Sequence, residues 1–147
     1  MKEKQVKSKQ RVKDFAEVFT AEREVKAMCD LIPTEQWTVE STFLEPACGN
    51  GNFLVEIFAR KLKLCKNEKD GLKALNSMVG IDIQEDNCAE TRLRLLEMYK
   101  EHFPYANDFA ILFALAILNN NIICVDSLEI QQKWIDGKST RQLSLFD

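Results

Sequence analysis

Three short runs rich in apolar residues, 42–45, 79–83 and 122–126, constrain this chain most, and each has an acid at or next to its end: Glu45, Asp82 and Asp126. Apolar runs this short, without alternation, fit strands buried on both faces. The stretches between them have helical periodicity. Leu54, Ile57, Phe58, Leu62 and Cys65 would face inward from one helix closing near Asn67, and residues 72–77 would add a turn or two. Asn87, with Glu90 three residues on, reads as a capping box opening a longer helix through about His102, which Pro104 stops. Residues 108–118 are apolar nearly all round, which suits a helix in the core or in an interface such as a dimer face, with Asn119 and Asn120 as its C-terminal signal. Strands separated by helices predict an α/β fold, a mostly parallel sheet with helices on both faces.

At 147 residues the chain is the size of one domain, and 46% hydrophobic with 29% charged residues excludes disordered and low-complexity classes. The longest apolar run is too short for a bilayer and the start lacks a signal peptide's apolar stretch, which together predict a cytoplasmic protein. Five cysteines, an odd number with no C-x-x-C pair, predict neither a disulfide framework nor a metal site. The net charge of −3 conceals an asymmetry, because residues 1–13 hold six basic side chains against Glu3. That local +5 leaves −8 on the rest, a basic arm beside an acidic body. Such an arm suits nucleic-acid phosphates, or is a plain solvated tail.

In a parallel sheet, ligands bind beyond the carboxyl ends of the strands, where the three acids would sit. After the first strand, Gly49 and Gly51 lie where a missing side chain lets backbone approach a bound molecule. A dinucleotide-binding turn would continue with a third glycine, but position 54 is Leu, and Glu45 would repel a pyrophosphate. The expected ligand is therefore cationic or zwitterionic. Upstream, Thr20 is placed to cap a helix presenting Val25, Met28, Cys29 and Ile32 on one face. Any one acid at a strand end could equally be a helix cap. Without a neighbouring His, Cys48 and Cys124 read as packing residues, and His102 as a surface residue near a helix end.

The segment Phe43-Leu-Glu-Pro-Ala-Cys-Gly-Asn-Gly-Asn-Phe53 resembles the first motif of S-adenosylmethionine-dependent methyltransferases, in the form found in bacterial DNA adenine-N6 methyltransferases of restriction-modification systems. Val18-Phe-Thr-Ala-Glu22 resembles that family's Phe-Thr-Pro segment, with Ala21 in place of Pro, and Gly80-Ile-Asp-Ile83 and Cys124-Val-Asp-Ser127 resemble its second and third motifs. The resemblance implies a truncated Rossmann-like methyltransferase domain over residues 15–130, between a basic arm at 1–14, disordered in one reading, and a tail at 131–147. It implies that Glu45, Ala47, Gly49, Gly51 and Phe53 line the methionine part of the cofactor and that Thr20 contacts its carboxylate. Asp82 would hold the ribose hydroxyls, Ile83 would pack on the adenine ring, and Asp126 would accept from the adenine amino group.

The family's Asn- or Asp-Pro-Pro-Tyr or -Phe catalytic segment is missing, since the only prolines are Pro33, Pro46 and Pro104. Cytosine-C5 chemistry is no substitute, because it needs Pro-Cys and Cys48 follows Ala47. No catalytic residue is therefore assigned, and a second methyltransferase chain is the expected partner for target-base chemistry on DNA. A non-catalytic regulatory or adaptor module is the alternative, and a decayed fragment a third. In the tail, Gln142-Leu-Ser-Leu-Phe146 resembles the peptide by which bacterial proteins dock on the replicative sliding clamp, which would make Gln142, Leu143 and Phe146 the contacts. The alternative is that Leu143, Leu145 and Phe146 fold back onto the domain.

Overall fold

The computed structural model describes residues 4–135, so Gln142, Leu143 and Phe146 lie outside the described residues. The elements run α1 (Lys9–Phe15), α2 (Glu22–Asp30), β1 (Phe43–Glu45), α3 (Asn52–Leu62), α4 (Glu68–Asn76), β2 (Met78–Asp82), α5 (Glu85–His102), α6 (Asp108–Asn121), β3 (Ile122–Cys124) and α7 (Ser127–Ile135). All three predicted strands form, each shortened or shifted by a residue or two. They make a parallel α/β sheet in the order β1-β2-β3, with Leu44 opposite Val79 and Ile81 opposite Ile123.

Both steps along this sheet go in the same sideways direction. Right-handed crossovers then put the helices of both connections, α3 and α4, then α5 and α6, on one face. Met78 and Ile122 point into that layer, sharing one core with Leu54, Phe58, Leu75, Leu95, Tyr99 and Leu118. A Cβ on Gly80 would lie 2.6 Å from Leu54 Cδ1, so α3 rests directly on β2. On the opposite face Ile81 and Ile123 are buried, but Val79 is only half-buried and Leu44 is 64% exposed. The expectation of helices on both faces is corrected here: over β1 the cover is one-sided, because the strand order never reverses. β1 is also an edge. Its Phe43 amide donates to Ser77 O on the β2 side at 3.0 Å, so by alternation the Leu44 amide and carbonyl point away from the sheet.

Three helix starts differ from expectation. α2 begins at Glu22 with Ala21 as N-cap and no side-chain cap bond, so Thr20 lies one residue too early to cap it. Asn67 does not close α3, which stops at Leu62; its side chain accepts from the Asp70 amide and opens α4 instead. α5 starts at Glu85, two residues before the expected capping box, because Asn87 is fully buried and its side chain serves partners outside the helix. Asn107 caps α6 by accepting from the Ala110 amide at 2.9 Å. At the other end, Asn121 donates to Asn76 O and Met78 O, locking α6 to the start of β2.

The approach to β1 is held by a buried cation. Lys61, on the last turn of α3, donates from Nζ to Thr38 O (2.9 Å), Val39 O (3.0 Å) and Ser41 O (2.6 Å). Burial pushes its ammonium down to about 8. The loop before β1 thereby gains partners for carbonyls that would otherwise be costly to bury.

Candidate functional site

A cleft of about 460 Å³ opens at the carboxyl ends of the strands. Eight of the nine residues singled out in the sequence line it: Thr20, Glu45, Ala47, Gly49, Phe53, Asp82, Ile83 and Asp126. The ninth, Gly51, is buried behind the wall as N-cap of α3 at φ 90°, and a Cβ there would meet Thr91 Oγ1 at 2.8 Å. Gly49 is also left-handed, at φ 54°, with the Phe19 ring edge 3.0 Å from where its Cβ would be. Both glycines are thus demanded by backbone conformation and by close approach.

The loop leaving β1 is held from two sides. From β2, Asp82 Oδ2 accepts the Gly49 amide at 2.9 Å while Oδ1 accepts from the Gln84 amide (2.8 Å) and Asn87 Nδ2 (3.1 Å). From α5, Thr91 Oγ1 donates to Gly49 O at 3.2 Å, and Arg94 donates to Asn50 O (2.7 Å) and Asn52 Oδ1 (2.8 Å). A carboxylate offers about four acceptor positions. Three on Asp82 are occupied by the protein's own donors, leaving one for a ligand hydroxyl rather than the two expected.

Asp126 lines the cleft and also caps α7, its Oδ1 accepting the Leu128 amide at 2.9 Å. Glu45 Oε1 accepts the Ala47 amide at 3.3 Å. Burial pushes the Glu45 carboxyl above the usual carboxylate range, and the Ala47 bond opposes this. A fourth acid, Glu17, joins them. Its Oε2 accepts from Arg11 and Asn87, both at 2.8 Å, but its Oε1 is buried with no partner. Among the described residues no Lys, Arg or His lines this cleft beside its four carboxylates, of which Glu17 is ion-paired to Arg11 behind the wall. Its mouth is apolar instead, with Phe15, Val18, Ile83 and Leu128 all exposed. A cationic group carried on a body with apolar surface matches both halves.

The wall containing Glu17 is built by the N-terminal segment. Phe19 N donates to Gln5 O at 2.8 Å and Gln5 Nε2 to Phe19 O at 3.1 Å, closing residues 5–19 into a strap. Lys7 reaches Asp86 and Glu90 on α5, each at 3.0 Å, and Arg11 grips Asp86 with both nitrogens at 2.7 and 2.9 Å. These partners hold the Asp86 carboxyl well below its usual range, the Arg11 hydrogen bond contributing most. The basic arm is therefore helical from Lys9, and Lys7 and Arg11 are matched to acids of the same chain rather than presented for phosphates.

Sequence reasoning missed Glu17, Asn87, Thr91 and Arg94. The last three follow at i, i+4 and i+7 on α5, a polar row that was the available signal. The cysteines behave as packing residues: all five are free, and burial pushes the Cys48 and Cys88 thiols to about 12, far from nucleophile chemistry. Among the described residues no group of three or more potential metal ligands converges, and no helix is long and apolar enough to cross a membrane. No protein-family model, curated protein or solved structure matches the chain.

Proposed function

We propose that this chain is the S-adenosylmethionine-binding part of a DNA adenine-N6 methyltransferase of the restriction-modification type, with the target-base chemistry supplied by another chain. The observation that carries this reading is the charge of the cleft: Glu45, Asp82 and Asp126 line it besides Glu17, which Arg11 neutralises, no Lys, Arg or His lines it among the described residues, and its mouth is apolar. S-adenosylmethionine bears a sulfonium and an ammonium against one carboxylate, and its adenine is a flat apolar surface. Nucleotides, with their phosphates, would be repelled.

In this reading Glu45 faces the cationic part of the cofactor, and Thr20 its carboxylate. The last open acceptor of Asp82 takes a ribose hydroxyl, Ile83 packs on the adenine, and Asp126 accepts from its amino group. The bound cofactor would supply the methyl group. The chain's own residues bind and orient it and, by excluding water behind Phe19 and Phe53, strengthen each charge interaction. Dependence on another chain is supported by the edge of β1, unpaired among the described residues, and by its exposed Leu44. A cytoplasmic location and a sliding-clamp contact through Gln142, Leu143 and Phe146 belong to the same proposal.

Calorimetry with S-adenosylmethionine or its demethylated product tests the binding claim. The expected result is an affinity in the micromolar range or weaker, reduced about tenfold or more by Asp82→Ala. No heat and no thermal shift at millimolar ligand would overturn the assignment. A second reading, a non-catalytic cofactor- or DNA-binding regulator, is favoured by the missing Pro-Pro segment. Methyl incorporation into DNA when a chain carrying that segment is added decides between the two.

A further inference from the structure

α6 has two unlike faces. Ala110, Ala114 and Leu118 pack inward among α4, α5 and the sheet. On the other side Phe109, Leu112 and Phe113 are 74%, 61% and 62% exposed, and Ala116 continues the row. The spacing i, i+3, i+4, i+7 makes this a straight stripe along the helix, the form of a seam that packs against another helix. A monomer seldom leaves such a row in water. With a fully exposed aromatic side chain offering about 200 Å², the stripe and the flanking Leu115 present on the order of 500 Å² of apolar surface.

We infer that this face is an interface between two copies of the chain, which pack α6 against α6 in antiparallel fashion about a twofold axis between positions 112 and 113. Three observations select a second copy as the occupant. First, the stripe is self-complementary in that register: bulky Phe109 meets small Ala116 of the second copy, and Leu112 meets Phe113. Second, the charge permits it. Residues beyond the basic arm carry −8, which repels a second copy over most of the surface, but α6 holds one charged residue, Asp108 at its N-terminus. Antiparallel packing sets the two Asp108 side chains at opposite ends and each helix N-terminus beside a C-terminus, which the helix dipoles favour. Third, the area suffices. Two stripes together remove about 1,000 Å², the lower bound for a specific interface, and so give a reversible dimer. This dimer is independent of any cofactor in the cleft, which lies at the strand ends.

Sedimentation velocity on the full chain, from about 5 to about 200 μM, is the test, with a dissociation constant in the tens of micromolar expected. Phe109→Glu should be monomeric throughout that range with an unchanged thermal melt, because the side chain it replaces is exposed. Adding Ala116→Arg to Phe109→Glu should restore the dimer, since antiparallel packing places each new Glu against the new Arg of the other copy. A wild-type chain that stays monomeric would overturn the proposal, as would an equal dissociation constant for wild type and Phe109→Glu. If wild type is monomeric but Phe146→Glu dimerises, the chain's own tail covers the stripe and the proposal is likewise wrong.

Discussion

The Gly49 amide donates to Asp82 Oδ2 at 2.9 Å, so the carboxylate ending β2 holds the loop that leaves β1. One side chain therefore shapes the cleft and faces it. Asp82→Ala should cost about 1.5–3 kcal/mol of folding stability through lost hydrogen bonds to a charged group, besides its effect on ligand. Urea unfolding without ligand measures this part alone, and an unchanged midpoint would mean the loop keeps its shape unaided.

Glu45 governs a pH dependence. Its carboxyl is raised above its ordinary 4.5, so on acidification it neutralises earlier than a surface acid. A cation is held by the ionised form, and affinity for S-adenosylmethionine should therefore fall as the pH drops through that raised value. Glu45→Gln should bind more weakly near neutrality and lose this slope. Calorimetry over a pH series descending from neutrality into the ordinary carboxylate range distinguishes the two profiles.

Any duplex DNA binding by the N-terminal segment should have a shallow salt dependence. If Lys7 and Arg11 keep their partners on α5, four of the six arm cations remain for phosphates, which sets a limiting slope of log K against log salt of about −4. A slope near −5 in fluorescence anisotropy titrations would show that both cations leave Asp86 for the DNA.

Alkaline pH should unfold the protein through its buried thiols. Cys48 and Cys88 are raised from 9.0 to about 12, so the stability they contribute is complete below pH 9 and is lost as pH rises toward 12. Lys61, lowered to about 8, acts oppositely between that value and 10.5. Comparing wild type with Cys48→Ala/Cys88→Ala cancels the lysine contribution. The double variant should lose less stability between about pH 8 and pH 10.5, as read by urea midpoints.

What could be read from the chain was whatever leaves a local pattern. Each strand declared itself by an apolar run with an acid at or beside its end, while the nine site residues, eight of which line the cleft, came from the resemblance of three short motifs to a known family. The strap did not, because the pairing of Lys7 and Arg11 with Asp86 joins positions 75 or more residues apart and has no periodicity. Lys61 was equally hidden: a lysine at the end of a helix looks solvated until the loop whose carbonyls it binds is in place. The two-sided sheet was expected from strand composition alone, whereas strand order decides which face the helices cover.

Among the described residues β2 is the one strand with a neighbour on each side, and its pairings join residues 35 apart to β1 (Leu44 with Val79) and 42 apart to β3 (Ile81 with Ile123). Neither pairing can form as a hairpin, and loops of such similar length close at nearly equal entropic cost. The sheet has no local nucleus and both of its pairings share β2, so β2 and the α3 turn seated on Gly80 are expected to belong to the rate-setting part of folding. Substitutions there should slow folding, whereas those confined to β1 or β3 should mainly hasten unfolding, as stopped-flow refolding and unfolding rates would show.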